Sequence, residues 1–158
     1  MSTSNRNSVI VRSARLSTIV HATEDVSRVH QAMANACPKQ LFHHNMEERR
    51  VKGHHGNEIR TISLNLSRKS AQVYPGFLWS NLSSLDHDQV LSSLSELLDE
   101  KDILHLRLGK QDCYLGRLRI NQEDPVKVEI GFSGLPRLQD EKIQKLKQLL
   151  NHFTKELA

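Results

Sequence analysis

Apolar and polar residues alternate along several short segments of the chain, as they do in strands with one buried face. The alternating segments are residues 9–21, 62–66, 104–108, 114–120 and 126–132. Residues 46–52 are polar and extended in character, and they add one more predicted strand. Strands that are buried on both faces would instead read as continuous apolar runs. The pattern therefore predicts an antiparallel or mixed sheet with one face open to solvent.

Apolar residues at helical spacing occur between these strands. The predicted helices are one that Thr23 caps and Pro38 ends, a broken one over 69–82 around Pro75, one over 86–99 capped by Asp86, and a long C-terminal one with an apolar stripe over 143–157. Each stripe would be buried against the sheet. We therefore expect an α+β two-layer sandwich, with a mixed or antiparallel sheet and helices on one face.

The length of 158 residues suits one domain. We predict a flexible N-terminus over residues 1–8, which are polar, and a single α+β domain over 9–158. No stretch approaches the ~18 consecutive apolar residues of a membrane-spanning helix, and the first residues lack an apolar signal core. The two cysteines, Cys37 and Cys113, form no Cys-x-x-Cys pair. Buried, unreactive thiols and a cytoplasmic location are therefore expected.

The chain carries 22 basic and 18 acidic residues, but their distribution is uneven. Residues 1–70 contain 11 basic and five acidic residues, a net charge of +6, whereas residues 71–158 have a net charge of −2. Six of the nine histidines also lie in the first part. This concentration of positive charge favours a polyanionic partner, usually nucleic acid, although a basic surface without a partner has the same composition.

If the apolar residues of the strands face the helices, the alternate residues form a polar face of the sheet. That face would carry Arg15, Ser17, Thr61, Ser63, Asn65, His105, Arg107, Arg117, Arg119 and Lys127, with Glu129 as the acidic residue of these strands. Such side chains suit phosphate and sugar oxygens, although any solvated sheet face collects similar residues. The face lacks the aromatic residues on which single-stranded bases stack. Binding would therefore depend on backbone charge and on the shape of a structured RNA.

The histidine doublets His43–His44 and His54–His55 raise the possibility of a metal site or of acid–base chemistry. Adjacent residues on an extended chain point to opposite faces, so a doublet rarely supplies two ligands to one ion. Cysteines and carboxylates at a familiar ligand spacing are absent, as is a recognisable nucleophile. We therefore predict no metal, no cofactor and no catalytic residue, and we expect the second doublet to form hydrogen bonds with RNA or with its own loop.

Three segments together resemble a known family. They are His21-Ala22-Thr23-Glu24-Asp25, Gly53-His54-His55-Gly56-Asn57 and Leu106-Arg107-Leu108-Gly109-Lys110-Gln111. Their order is similar to that of an archaeal RNA-binding family of predicted exosome subunits, and the resemblance spans roughly residues 14–132. It implies RNA binding, a fold like that of the large-subunit ribosomal protein that binds five-S rRNA, and the exosome or the ribosome as a partner. The chain departs from the family at Glu58, where proline is expected, and at Gly109, where aspartate is expected.

These observations lead to the hypothesis of a non-catalytic, cytoplasmic RNA-binding protein that contacts phosphates and 2′-hydroxyls of structured or double-stranded RNA. The residues predicted to bind RNA are Arg49, Arg50, Lys52, His54, His55, Asn57, Arg107, Lys110, Arg117, Arg119 and Lys127. One alternative is a protein–protein adaptor on an exosomal or ribosomal assembly with little direct RNA contact. A second alternative is a ribonuclease that uses the histidine loop. Membrane binding is not expected.

Overall fold

The computed structural model describes residues 8–156, without the side chains of His44, Lys155 and Glu156. The strands are β1 (Ile10–Val20), β2 (Met46–Lys52), β3 (Glu58–Ser67), β4 (Ile103–Gly109) and β5 (Pro125–Ser133). The helices are α1 (Val26–Asn35), α2 (Lys39–Asn45), α3 (Arg68–Asn81), α4 (Ser84–Ser92), α5 (Leu94–Leu97), α6 (Lys110–Tyr114) and α7 (Gln139–Glu156). Apart from Ser8, the segment predicted to be a flexible N-terminus lies outside the described residues.

The five strands form one sheet in the order β2-β3-β1-β5-β4, and every neighbouring pair is antiparallel. Leu16 of β1 lies opposite Leu64 of β3 and Val128 of β5, and all three side chains are fully buried. The helices cover this apolar face of the sheet and complete the hydrophobic core. The predicted α+β fold is therefore confirmed, with an antiparallel sheet.

The strand register also identifies the other face of the sheet, which we call the open face. Ser17 of β1 lies opposite Ser63 of β3 and Lys127 of β5. Arg107 of β4 lies opposite Lys127 in turn. Because side chains alternate between faces along a strand, Arg15 and the other predicted polar residues of these strands share this face. Residues far apart in sequence thus lie side by side on one surface.

Helix α3 lies against the centre of the sheet and runs without interruption through Pro75, where a break was predicted. Tyr74 and Trp79 of this helix are among the largest fully buried side chains. The Tyr74 hydroxyl donates a hydrogen bond of 2.9 Å to the carbonyl of Ala36, just after α1. The apolar contacts of α3 and this buried hydrogen bond stabilise a helix that Pro75 alone would destabilise.

The structure corrects the predicted start of α1. Asp25, rather than Thr23, is the N-cap, because its carboxylate accepts the backbone N–H of Ser27 at 2.9 Å. Hydrogen bonds from the Ser27 hydroxyl and backbone N–H also lower the pKa of the Asp25 carboxyl. Glu24 therefore lies before the helix, and its carboxylate is free to reach Lys110 of α6.

Residues 86–99 form two helices and not the single one predicted. Helix α4 begins after Ser83, whose hydroxyl accepts the backbone N–H of Asp86 at 3.2 Å, so Asp86 lies in the first turn. The helix ends at Ser92, whose hydroxyl donates to the carbonyl of Gln89 at 3.0 Å. Serine hydroxyls that bond to the local backbone compete with helix continuation, which accounts for the break before α5.

The strand predicted over 114–120 is wrong. After β4 the chain turns directly into α6. The segment that follows α6 joins the sheet through an isolated β-bridge between Ile120 and Leu108. The side chain of Asn35 in α1 donates hydrogen bonds to the carbonyls of the last two residues of α6, at 2.9 and 3.3 Å. Apolar alternation is a local signal and does not report such a tertiary contact.

The sequence predicted buried cysteines and no membrane-spanning helix. Cys37 and Cys113 are both buried, as predicted, and burial raises the pKa of each thiol to about 12. Thiolates are the reactive form of cysteine, so both side chains are inert near neutral pH. In the described part of the chain, each helix is too short or too polar to cross a membrane.

Candidate nucleic-acid interface

Two cations lie side by side on the open face. Arg107 of β4 and Lys127 of β5 are directly opposite each other in the register, and both are exposed. Within the described residues neither side chain forms an ion pair or a hydrogen bond. Like charges directly opposite each other in a sheet are destabilising. The pair is therefore an uncompensated positive site that an anion would stabilise.

The neighbouring row of the open face is balanced in charge. Glu129 of β5 lies between Arg15 of β1 and His105 of β4, opposite both of them in the register. The His105 imidazole is also 2.8 Å from the Asp99 carboxylate, at the outer edge of β4. Hydrogen bonds from His105 and from nearby backbone N–H groups lower the pKa of Asp99. The excess positive charge therefore lies on the row of Arg107 and Lys127.

A third cation lies at the far edge of the open face. Arg49 of β2 is opposite Thr61 of β3, on the same face as Ser17 and Ser63. Four strand spacings separate β2 from β4, a distance of about 19 Å. The acidic Glu47 also belongs to this face, because it lies opposite Ser63. Sequence reasoning missed Glu47, since only the pairing of β2 with β3 assigns it to a face.

Arg50 and Lys52 project from the other side of the β2–β3 hairpin. Arg50 lies opposite Arg60 in the register, and its guanidinium is 3.6 Å from the carboxylate of Glu58. Arg60 has a similar contact of 3.6 Å with Glu48. Two of the predicted RNA-binding residues are thus not brought together with Arg49, although both remain exposed.

The histidine loop is the tip of the β2–β3 hairpin. The backbone N–H of Gly53 donates to the carbonyl of Asn57 at 2.7 Å, and the N–H of Gly56 donates to the carbonyl of Gly53 at 3.1 Å. Gly56 has a φ of +76°, a conformation that favours glycine. His54, His55 and Asn57 are all exposed on this turn. The structure presents them to solvent at one end of the sheet.

Lys110, which was predicted to bind RNA, is buried in the structure. Its ammonium donates to the carbonyl of Ile19 at 2.7 Å, to the carboxylate of Glu24 at 2.9 Å and to that of Asp124 at 3.0 Å. An ammonium group has three N–H donors, and all three are occupied. The side chain is only 7% exposed. This placement corrects the prediction, and we leave Lys110 out of the interface.

The same cluster contains a possible set of metal ligands. Within the described residues, His21, Glu24 and Asp124 place ligand atoms within 4.8 Å of one another. The ammonium of Lys110 is hydrogen-bonded to both carboxylates and supplies a positive charge there. Burial opposes ionisation of Asp124, but hydrogen bonds from Lys110 and His21 outweigh it and lower the pKa of the carboxyl. The geometry describes a salt-bridge cluster around the buried Lys110, in which His21 and Asp124 are about half exposed.

All three segments that carry the family resemblance meet at this end of the sheet. His21 and Glu24 line a cavity of about 300 Å³ together with Gly56 and Asn57 of the hairpin tip. Lys110, from the third segment, bonds to Glu24 from the other side. The motifs are therefore linked by the architecture around the end of β1.

The structure shows the surroundings of the two residues, Glu58 and Gly109, at which the chain departs from the family pattern. Glu58, in place of the expected proline, is the first residue of β3 and pairs with Arg50. At Gly109, a side chain in place of hydrogen would collide with the carboxylate of Asp112 and approach Asn121. These atoms belong to side chains, and Gly109 has a φ of −64°, so the backbone itself does not require glycine here.

Arg117 and Arg119 flank the sheet and do not belong to one of its strands, contrary to the prediction. The backbone N–H of Gly109 donates to the carbonyl of Arg119, and the N–H of Asn121 donates to the carbonyl of Arg107, both at 3.0 Å. The segment therefore runs along the end of β4. Both arginines are exposed there, beyond the edge that carries Arg107.

The comparison with protein-family models matches residues 13–132 to the family described as RNA binding. The chain belongs to this RNA-binding family. The match covers most of the chain, including every strand except the first residues of β1 and the last residue of β5. It confirms the resemblance to an RNA-binding family, while the exosome and the five-S rRNA-binding fold stay predictions.

Two archaeal proteins are similar to this chain over most of their own length. One is an RNA-binding protein of Pyrococcus abyssi, 24% identical over 140 residues, which cover 86% of this chain and 91% of the relative. The other is an uncharacterized protein of Methanocaldococcus jannaschii, 27% identical over 147 residues, which cover 87% and 95%. Both matches therefore cover most of this chain and most of the relative.

Solved structures show the same fold. A crystal structure of a protein from Archaeoglobus fulgidus superposes with a TM-score of 0.76 and 26% identity, over 88% of this chain and 99% of that chain. A DUF54 protein from Methanothermobacter thermautotrophicus superposes with a TM-score of 0.70 and 21% identity, over 89% and 98%. The second match, at this identity, concerns the fold alone.

Proposed function

We propose that the protein binds structured RNA through its open face, with Arg107 and Lys127 at the centre of the site. The observation that carries this proposal is the direct opposition of these two cations without a carboxylate partner in the described residues. A phosphate group between them would remove their mutual repulsion, and arginine can bind phosphate with two parallel hydrogen bonds. Membership of the RNA-binding family supports RNA as the source of the phosphate.

The surroundings of the pair support phosphate and sugar contacts rather than base stacking. Arg117 and Arg119 extend the positive charge beyond β4, and Ser17 and Thr61 add hydroxyl groups. The strands of the open face carry no aromatic residue on that face in the described residues. Proteins that read single strands stack bases on such aromatics. We therefore propose a structured or double-stranded RNA as the ligand, bound without cleavage.

We further propose that RNA binding serves RNA processing or degradation, in the cytoplasm and in association with the exosome or the ribosome. The resemblance of the three motif segments to predicted exosome subunits supports this partner. Subunits of either assembly should then co-purify with the protein and be lost after ribonuclease treatment. Association that survives ribonuclease would favour the protein–protein adaptor instead.

The binding proposal is tested with labelled double-stranded and single-stranded RNA, titrated at two salt concentrations. The test variant is Arg107→Ala/Lys127→Ala. The matched control is Arg137→Ala/Lys145→Ala, which removes two exposed cations before and within α7. Each phosphate contact contributes about 0.9 to the slope of log affinity against log salt. We expect the test variant to lose roughly tenfold or more in affinity for the duplex and to show a shallower salt dependence.

The control variant carries the same change in net charge, so it separates a local site from general attraction. Wild-type affinity in the control and weak binding in the test variant would support the open face. Equal losses in both variants would contradict it, because the effect would then follow net charge. Absence of wild-type binding at low salt would overturn RNA binding and leave the adaptor as the better hypothesis.

A further inference from the structure

An uncharged strip crosses the open face between its cations. Its aliphatic members are Ile19 of β1, Val51 of β2 and Ile59 of β3, which are 44%, 58% and 37% exposed. Ile19 lies opposite Thr61, and Val51 lies opposite Ile59, so all of them share the open face. We call Ile19, Val51, Ile59 and Thr61 the aliphatic strip. Exposed isoleucine and valine on adjacent strands form a surface patch rather than isolated apolar residues.

The strip is bordered by cations on both sides. Arg49 lies two residues before Val51 on β2, opposite Thr61. On the other side, Lys127 lies opposite Ser17, two residues before Ile19 on β1. With strands about 4.8 Å apart, Arg49 is about 14 Å from the strand of Lys127 and about 19 Å from that of Arg107. Cations therefore lie on both sides of an uncharged centre, and Glu47, opposite Ser63, is the acidic residue beside Arg49 on this face.

We propose that the shallow minor groove of an A-form RNA duplex lies across this strip. This inference rests on the proposed function. It adds which groove of the duplex is bound and how the duplex is oriented on the sheet. The phosphates of one strand would face Arg49, and those of the other strand would face Lys127 and Arg107. The riboses between them would lie on Ile19 and Ile59. A-form RNA displays riboses and 2′-hydroxyls in a wide, shallow minor groove, whereas its deep major groove excludes side chains.

The chemistry of the strip matches riboses better than bases or protein. Riboses present C–H groups, which pack on aliphatic side chains, and a 2′-hydroxyl, which needs a polar partner. The Thr61 hydroxyl forms no hydrogen bond within the described residues and lies beside Ile19. Three aliphatic side chains are a small patch for a protein partner. A duplex satisfies the apolar, hydroxyl and cationic parts of the surface together.

The test compares one duplex sequence as RNA, as DNA and as RNA with 2′-O-methyl groups, each titrated with the same variants. The first variant is Ile19→Thr/Ile59→Thr, which keeps β-branched side chains and removes aliphatic surface. Its matched control is Ile10→Thr, an exposed residue at the other end of β1 with 50% exposure. The second variant is Thr61→Val, which removes the hydroxyl and keeps the shape of the side chain.

We expect the wild type to bind the RNA duplex about tenfold more tightly than the DNA and 2′-O-methyl duplexes. Ile19→Thr/Ile59→Thr should weaken RNA binding by about three- to tenfold, whereas Ile10→Thr should bind like the wild type. In Thr61→Val the preference for RNA over DNA should shrink. Circular dichroism of each variant checks that the fold is kept.

The possible failures are distinguishable. Equal affinity for RNA and DNA duplexes, together with wild-type binding by Ile19→Thr/Ile59→Thr, would overturn the minor-groove inference. The proposed function would survive that result if binding still required Arg107 and Lys127. If the wild type binds none of the RNAs at low salt, both proposals are wrong, and the strip becomes a candidate surface for a protein partner.

Discussion

Two lysines that were assigned the same role from the sequence lie in different environments. Lys110 is 7% exposed and bonded to Ile19, Glu24 and Asp124, whereas Lys127 is exposed and lies opposite Arg107. Sequence reasoning assigned both to RNA binding. Two of the Lys110 partners are 91 and 86 residues away along the chain. No local pattern reports a contact at such separation, so this error could not have been avoided from one sequence.

The two roles predict opposite effects of the same substitution. Lys110→Met should lower the free energy of unfolding by about 2–3 kcal/mol, because it leaves Glu24 and Asp124 without their cation. Its folded fraction should bind RNA like the wild type. The control Lys127→Met should change stability by no more than about 0.5 kcal/mol, since its side chain is exposed and has no ion pair within the described residues, but should weaken RNA binding. Urea denaturation and RNA titration measure the two quantities. A stable Lys110→Met protein that has lost RNA binding would contradict our assignment of Lys110.

At the scale of elements, alternation of apolar and polar residues predicts a strand correctly where the side chains are alternately buried and exposed. The prediction fails where a tertiary contact determines the backbone conformation. Strands β1, β3, β4 and β5 follow the predicted segments, because pleating turns a periodic sequence into two faces. The segment 114–120 has a similar pattern, but α6 is held by Asn35 from another helix. The strand order β2-β3-β1-β5-β4 is likewise unreadable from the sequence. The opposition of Arg107 and Lys127 follows from that order.

The salt-bridge cluster joins four elements and predicts how they respond to acid. Asp124, just before β5, links Lys110 of α6 and His21 after β1, and Lys110 reaches Glu24 before α1. The pKa of the Asp124 carboxyl is lowered in the folded protein. A lowered carboxyl pKa adds stability above the unfolded value of about 4, and this stability is lost as the pH falls through the folded value.

We therefore expect the urea midpoint of the wild type to fall as the pH is lowered from about 4 towards 2. Asp124→Asn should be less stable than the wild type at pH 6 and should decline less steeply over that acidic range. Glu100→Gln, which removes an exposed carboxylate without an ion pair in the described residues, is the matched control. Parallel pH profiles of Asp124→Asn and the wild type would show that Asp124 does not contribute to acid sensitivity.

The whole molecule separates an apolar, helix-covered side of the sheet from a polar open face. The excess of positive charge in residues 1–70 suggested a nucleic-acid partner, yet the cation pair of the proposed site comes from residues 107 and 127. A charge excess in one part of the chain therefore does not identify a charged surface. The central strand β1 pairs with both β3 and β5, so each face of the sheet combines residues from the two parts. The uneven charge favours a polyanionic partner, whereas the register alone shows that the two cations of the proposed site lie side by side.

The extent of the interface is tested by combining cations from its two edges. Arg49 and Arg107 lie on β2 and β4, about 19 Å apart, too far for their side chains to influence each other directly. If one duplex spans the open face, Arg49→Ala and Arg107→Ala should each reduce the slope of log affinity against log salt by about 0.9, and the double variant by about 1.8. The effects on binding free energy should add, because each arginine then contacts its own phosphate on the same RNA. If Arg49→Ala leaves the slope unchanged, the RNA touches the β4–β5 side alone, and a duplex cannot lie across the sheet. A reduction in Arg50→Ala as large as that in Arg49→Ala would argue that the hairpin acts through general charge, since Arg50 projects from its opposite side.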